Sequence, residues 1–110
     1  STGERLTRAT FATAREAGGT VIIHGRSEEQ TRAAIASPLA MIASDGFIEN
    51  GRGHPRTSGT YAKVLGKYVR DEKLITLEEA VRRFTSRPAA RVGLTDRGLL
   101  KVGMKADIAV

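Results

Sequence analysis

An acid, a histidine and an arginine, Asp45, His54 and Arg56, fall within twelve residues of one another and are the reactive side chains of this chain that a catalytic or binding site could use. Asp45 follows the apolar run 39–44, LAMIAS, and an acid at the exposed end of a strand is a common place for a reaction. One acid alone is not a site, but His54-Pro55-Arg56 follows closely, after a glycine-rich loop. Residue type by residue type, each has a plainer account. Asp45-Gly46 is ordinary turn chemistry, Arg56 a solvated surface arginine, and His54 before Pro55 a structural histidine. Ser44 has no base in view and is not assigned as a nucleophile. His24, which also closes an apolar run, reads as structural or pocket-lining. The acids Glu28 and Glu29 read as helix capping and not as a carboxylate dyad.

These residues need elements to position them. Residues 5–17 favour a helix that Gly18-Gly19 stops. The β-branched run 20–24, TVIIH, predicts a buried strand. Ser27 and Gln30 have the spacing of a capping box for the next helix, with two acids in its first turn, and Ser37-Pro38 ends it. Residues 39–44 predict a second strand. Tyr61, Val64, Leu65, Tyr68 and Val69 recur with helical spacing, so a helix is expected over 60–71. Thr76 and Glu79 form a second capping-box pattern, with Leu77, Ala80, Val81 and Phe84 as the apolar face behind it. Pro88 suits the first turn of a short helix over 88–92, closed by Gly93, and a strand is expected from Asp107. Strands alternating with helices indicate an α/β fold of parallel units. The pattern stops inside an apolar strand, which is expected of a piece of a longer protein.

Composition narrows the function classes. The 110 residues are 40% hydrophobic and 27% charged, as in a globular protein. There is no cysteine, so neither disulfides nor thiolate ligands arise within the chain, which fits a cytoplasmic setting. No apolar run has the length of a membrane span, and no membrane partner is expected. The net charge of +6 comes from 18 basic residues scattered among 12 acidic ones, with aromatics at only 5%. That distribution has no dense basic run, and no nucleic-acid partner is expected.

From about Leu39 to Val110, and less closely back to Gly18, the chain resembles the C-terminal part of the N-acyl-D-amino-acid deacylases, the D-aminoacylases of the amidohydrolase superfamily. The resemblance is carried by an ordered set of pieces: Ser44-Asp45-Gly46, His54-Pro55-Arg56, Gly59-Thr60, ITLEEAVRRFTSRPAARVGL and DRGLLKVGMKADIAV.

The resemblance implies the last two βα units of a metal-dependent (β/α)8 barrel, followed by the start of a returning strand of a small β domain. Residues 1–93 would belong to the barrel and residues 94–110 would lead into the β domain. TVIIHG would be the seventh strand, LAMIASD the eighth, and the helix 60–71 the eighth barrel helix. Asp45 would contact the metal and act as general base, taking a proton from the attacking water and returning it to the leaving amine. Arg56 would hold the α-carboxylate of the N-acyl-D-amino acid in a two-bond fork, and His54 would orient the loop or line the pocket. Gly46, Gly53 and Gly59 would let that loop turn beside substrate. The cofactor implied is Zn²⁺ in the intact enzyme. The remaining ligands, including a His-x-His pair, are not in this sequence, so the chain alone is expected to bind no metal and to be inactive. The family's metal histidines fall on earlier strands, which leaves His24 without that role. The alternatives are a dihydroorotase- or dihydropyrimidinase-like cyclic amide hydrolase and an amidohydrolase-like binding module without chemistry. Exposed sheet edges and apolar faces imply that the chain self-associates or needs the rest of the barrel.

Overall fold

A computed structural model describes residues 5–18, 22–23, 25–49 and 51–110. Within them run α1 (Phe11–Ala17), α2 (Glu28–Ala36), β1 (Ile48–Glu49), β2 (Arg52–Gly53), α3 (Arg56–Lys63), a π-helical segment (Val64–Asp71), α4 (Leu77–Phe84) and α5 (Ser86–Arg91). β1 and β2 pair antiparallel, Ile48 opposite Gly53, across a turn containing Gly51 at φ 72°.

Local signals explain several of these boundaries. The Ser27–Gln30 capping box is complete: Gln30 N donates to Ser27 Oγ at 3.1 Å and Ser27 N to Gln30 Oε1 at 3.0 Å. Thr76 makes only half of the second box, accepting from Glu79 N at 3.2 Å. The Glu79 carboxylate turns away because Arg82 and Arg83 both donate to it. α1 begins six residues later than expected, at Phe11, behind a turn in which Thr7 and Thr10 bond each other. α3 begins at Arg56, before Thr60, because Pro55 already has helical angles and His54 caps the new helix. Gly59 therefore lies inside a helix, with open space around it, and makes no turn beside the site.

The strands expected over 20–24 and 39–44 find no pairing among the described residues. Of 20–24, only Ile22 and Ile23 are described, and neither is paired in a sheet; His24 lies outside the described residues. Residues 40–47 likewise form no ladder. A strand exists only through hydrogen bonds to a neighbouring strand. Here Ile42 N instead reaches Arg83 O, at 3.4 Å. The expected strand from Asp107 is also unpaired.

The core sits where α2, the π-helical segment and α4 meet. Ile35, Val64, Tyr68 and Ala80 are buried there, with Ile42, Leu65, Val69, Leu74, Ile75 and Phe84 packed around them. Val64 and Tyr68 are the buried residues of the π-helical segment, and the Tyr68 side chain is only 1% exposed. Tyr61, first residue of the expected stripe, packs edge-on against Phe84 with ring centroids 4.9 Å apart. This core is small for the chain. The accessible surface is 9177 Å², against about 5,900 Å² for a compact protein of this mass. Ile23, Leu39, Ile48, Val92, Leu100 and Val102 are among the exposed apolar side chains.

Candidate active site

Asp45 ends the segment that leaves the core at Ile42. Its backbone lies in the left-handed region, at φ 47°, a conformation that aspartate tolerates better than most residues. The sharp turn is closed by Gly46 N donating to Ser44 Oγ at 3.2 Å, which occupies the Ser44 hydroxyl as an acceptor. A Cβ on Gly46 would stand 2.5 Å from Thr57 Cα, so the turn packs directly on the start of α3. Thr57 Oγ1 also donates to Phe47 O at 3.2 Å. The Thr57 contacts are a part of the site that residue types alone do not reveal.

The turn and α3 bring Asp45 and Arg56 together. Arg56 Nη2 lies 2.9 Å from Asp45 Oδ2, with the carboxylate side chain 87% exposed and the guanidinium 40% exposed. The Arg56 Nε–H is buried and has no acceptor among the described residues. His54 is placed differently. Its Nδ1 accepts from Arg56 N at 3.0 Å and its carbonyl from Thr57 N at 2.9 Å, so it holds the first turn of the helix that carries the arginine.

A second polar network fixes the helix behind Arg56 to α2. The Tyr68 hydroxyl donates to Glu28 Oε1 at 2.5 Å and Lys67 Nζ donates to the same oxygen at 2.7 Å. Arg32 forks onto both oxygens of Glu72, at 2.8 and 2.9 Å. The hydrogen bonds from Lys67 and then Tyr68 hold the Glu28 carboxyl at about 2. Burial, followed by the bond to Glu28, pushes the Tyr68 hydroxyl up to about 12.

Asp45 offers a hard oxygen donor that suits Zn²⁺ chemically. Among the described residues no group of three His, Asp or Glu side chains could hold a metal. Asp45 alone supplies no more than one such donor. No helix among the described residues is long and apolar enough to cross a membrane.

Comparison with known proteins follows the same residues. A profile described as Amidohydrolase family matches residues 24–110. The N-acyl-D-glutamate deacylase of Alcaligenes xylosoxydans xylosoxydans is 42% identical over 89 residues, covering 81% of this chain and 18% of the relative. The D-aminoacylase of the same organism is 45% identical over 83 residues, covering 76% of this chain and 17% of the relative. Among solved structures, the N-acyl-D-glutamate deacylase of Bordetella bronchiseptica, complexed with zinc and a phosphonate mimic of the tetrahedral intermediate, superposes with a TM-score of 0.68. It is 42% identical, over 74% of this chain and 17% of that structure. The chain thus spans less than a fifth of the length of the relatives it matches.

Proposed function

Because this chain belongs to the amidohydrolase family, we propose that it forms the Asp45-bearing part of a zinc-dependent enzyme that hydrolyses the amide bond of N-acyl-D-amino acids. The reading is supported by the names of relatives that match most of this chain, an N-acyl-D-glutamate deacylase, a D-aminoacylase and an N-acyl-D-glutamate deacylase solved with zinc. In the whole protein, residues 20–24 and 39–45 complete the seventh and eighth strands of a (β/α)8 barrel and gain the neighbours they lack here. The helix that follows, Arg56 through Asp71, is the eighth barrel helix. Residues 1–93 form the end of the barrel and residues 94–110 enter the small β domain. The apolar side chains exposed in this chain are covered by that barrel, or by a second copy when the chain stands alone.

The observation that carries the mechanism is the 2.9 Å approach of Arg56 to Asp45. Read as a base and a carboxylate reader, the two side chains lie side by side at the exposed end of the Asp45 segment, in keeping with the position of catalytic groups in barrels of this kind. Zinc, when bound, activates water as a nucleophile at neutral pH and polarises the scissile carbonyl. Asp45 accepts the proton of the attacking water on a carboxylate oxygen and delivers it to the leaving nitrogen, whose bond to the acyl carbon then breaks. Arg56 releases Asp45 and turns Nη2, with the free Nε–H, onto the two oxygens of the substrate's α-carboxylate. His54 keeps the arginine in place through the backbone it caps.

The test is a substrate panel on the full-length zinc protein: N-acetyl-D-amino acids, their L-enantiomers and dihydroorotate. Release of D-amino acids in preference to L supports the reading. Turnover of the cyclic amide without D-deacylation replaces it with a dihydroorotase-like reaction, and no turnover of any of them replaces it with a non-catalytic role.

A further inference from the structure

Arg83 is the one charged side chain buried among the described residues, 3% exposed. Nothing in the proposed chemistry uses it. Its Nη1 donates to Ile35 O at 2.7 Å, within the last turn of α2, where helix carbonyls lack partners. Its Nε donates to Glu79 Oε1 at 2.6 Å, one turn back along α4. Its own carbonyl accepts from Ile42 N at 3.4 Å. A single residue thus grips both ends of the connection 36–42: the end of α2 with its side chain and the start of the Asp45 segment with its backbone.

The geometry points to Arg83 as a positioning residue for Asp45. This inference rests on the reading of Asp45 as the base. Only Ala43 and Ser44 separate Ile42 from Asp45, a span of about 10 Å at full extension. Ile42 is packed into the core, while Asp45 is exposed. The placement of the carboxylate is therefore inherited from Ile42 and from the end of α2, and both are referred to Arg83. Glu79 completes the device. Its carboxyl is held at about 2 by hydrogen bonds from Arg82 and Arg83, so it stays ionised and keeps the guanidinium aimed at Ile35 O. A shift of about 1 Å in a reacting group costs up to about a hundredfold in rate, which makes remote anchoring a matter of catalysis as well as stability.

The experiment uses the full-length zinc protein with Arg83→Met, which keeps the bulk and loses the donors, Arg83→Lys, which keeps one donor, and Arg70→Met, an exposed arginine paired with its neighbour Asp71, as control. Steady-state kinetics, Tm and crystal structures are compared with the unsubstituted protein. Arg83→Met is expected to lower kcat by about tenfold or more while KM stays within about twofold, with residues 42–45 displaced in the crystal. Arg83→Lys recovers part of kcat, and Arg70→Met matches the unsubstituted enzyme. A lowered Tm with unchanged kcat and unmoved Asp45 overturns the inference. Should Arg83→Met not fold, Arg83→Lys decides by the same split between kcat and KM. If the unsubstituted protein has no deacylase activity, it is the functional reading that fails. The position of residues 42–45 in the variant crystals then decides on Arg83 independently.

Discussion

The carboxylate of Asp45 and the guanidinium of Arg56 meet at 2.9 Å, although a loop and a hairpin separate them in sequence. The contact is made by two local decisions: a left-handed turn at Asp45 and a helix that starts on Arg56 itself. Neither group is deeply buried, so the pair contributes little to stability. On the proposed reading its consequence is functional: Arg56 exchanges Asp45 for the carboxylate of the substrate.

Arg56→Ala therefore acts on substrate binding. In the full-length enzyme the loss of a charge-assisted fork removes about 1.5–3 kcal/mol, a rise in KM of roughly tenfold to a hundredfold for N-acyl-D-amino acids. The corresponding N-acyl-D-amino amides, which lack the carboxylate, should show no such rise. Equal effects on both substrates would mean that Arg56 reads something other than the carboxylate.

Gly46→Ala tests the contact between the turn and α3. The new Cβ would lie 2.5 Å from Thr57 Cα and 2.8 Å from Thr57 Oγ1, so the turn or the helix start must move. Overpacking of this kind costs about 1–3 kcal/mol. Gly59→Ala is the contrast: it lies in α3 with nothing within 4 Å of the new Cβ, and it should be neutral or stabilising by up to about 1 kcal/mol. Urea unfolding of both variants checks the difference, and deacylase rates show whether the Gly46 shift reaches Asp45.

Stability should have both an acid and an alkaline edge. Glu28 is held at about 2 against its usual 4.5, so its contribution is complete above the usual value and is lost as the pH falls toward 2. Glu79, also held at about 2, and Glu72, lowered by Arg32, add to the same edge. Tyr68 is raised from 10.0 to about 12, so its contribution is complete below pH 10 and is lost as the pH rises toward 12. Melting temperature against pH should therefore show a plateau between these windows. Tyr68→Phe should lower the plateau by a few degrees, about the worth of one hydrogen bond, and should remove the tyrosine's part of the alkaline fall. An unchanged alkaline limb in that variant would place the loss elsewhere.

Which features were legible in the sequence follows from how local their causes are. The Ser27–Gln30 box forms as its spacing requires because both partners lie within one turn. The Thr76 box is half made because Glu79 has stronger partners in Arg82 and Arg83, one of them buried by contact with α2. The runs 20–24 and 39–44 carry the composition of strands, yet a strand is completed by its neighbours, and neither run finds one among the described residues. The helical stripe from Tyr61 to Val69 was readable, but the π-helical path from Val64 to Asp71 was not, since apolar spacing does not distinguish it from an α-helix. At the site, Asp45, His54 and Arg56 stood out by type and spacing. That His54 caps α3, and that Thr57 carries the turn, depend on backbone geometry that residue types do not encode.

The most direct test of the account is Asp45→Asn in the full-length zinc protein, assayed for release of D-amino acid from its N-acyl derivative. The substitution keeps the size of the side chain and its tolerance of the left-handed turn, and removes the base. With the base gone, kcat should fall by about 10²–10⁴, with the fold intact by circular dichroism. A kcat within about threefold of the unsubstituted enzyme, far short of that range, would contradict it and leave Asp45 as the residue of a turn.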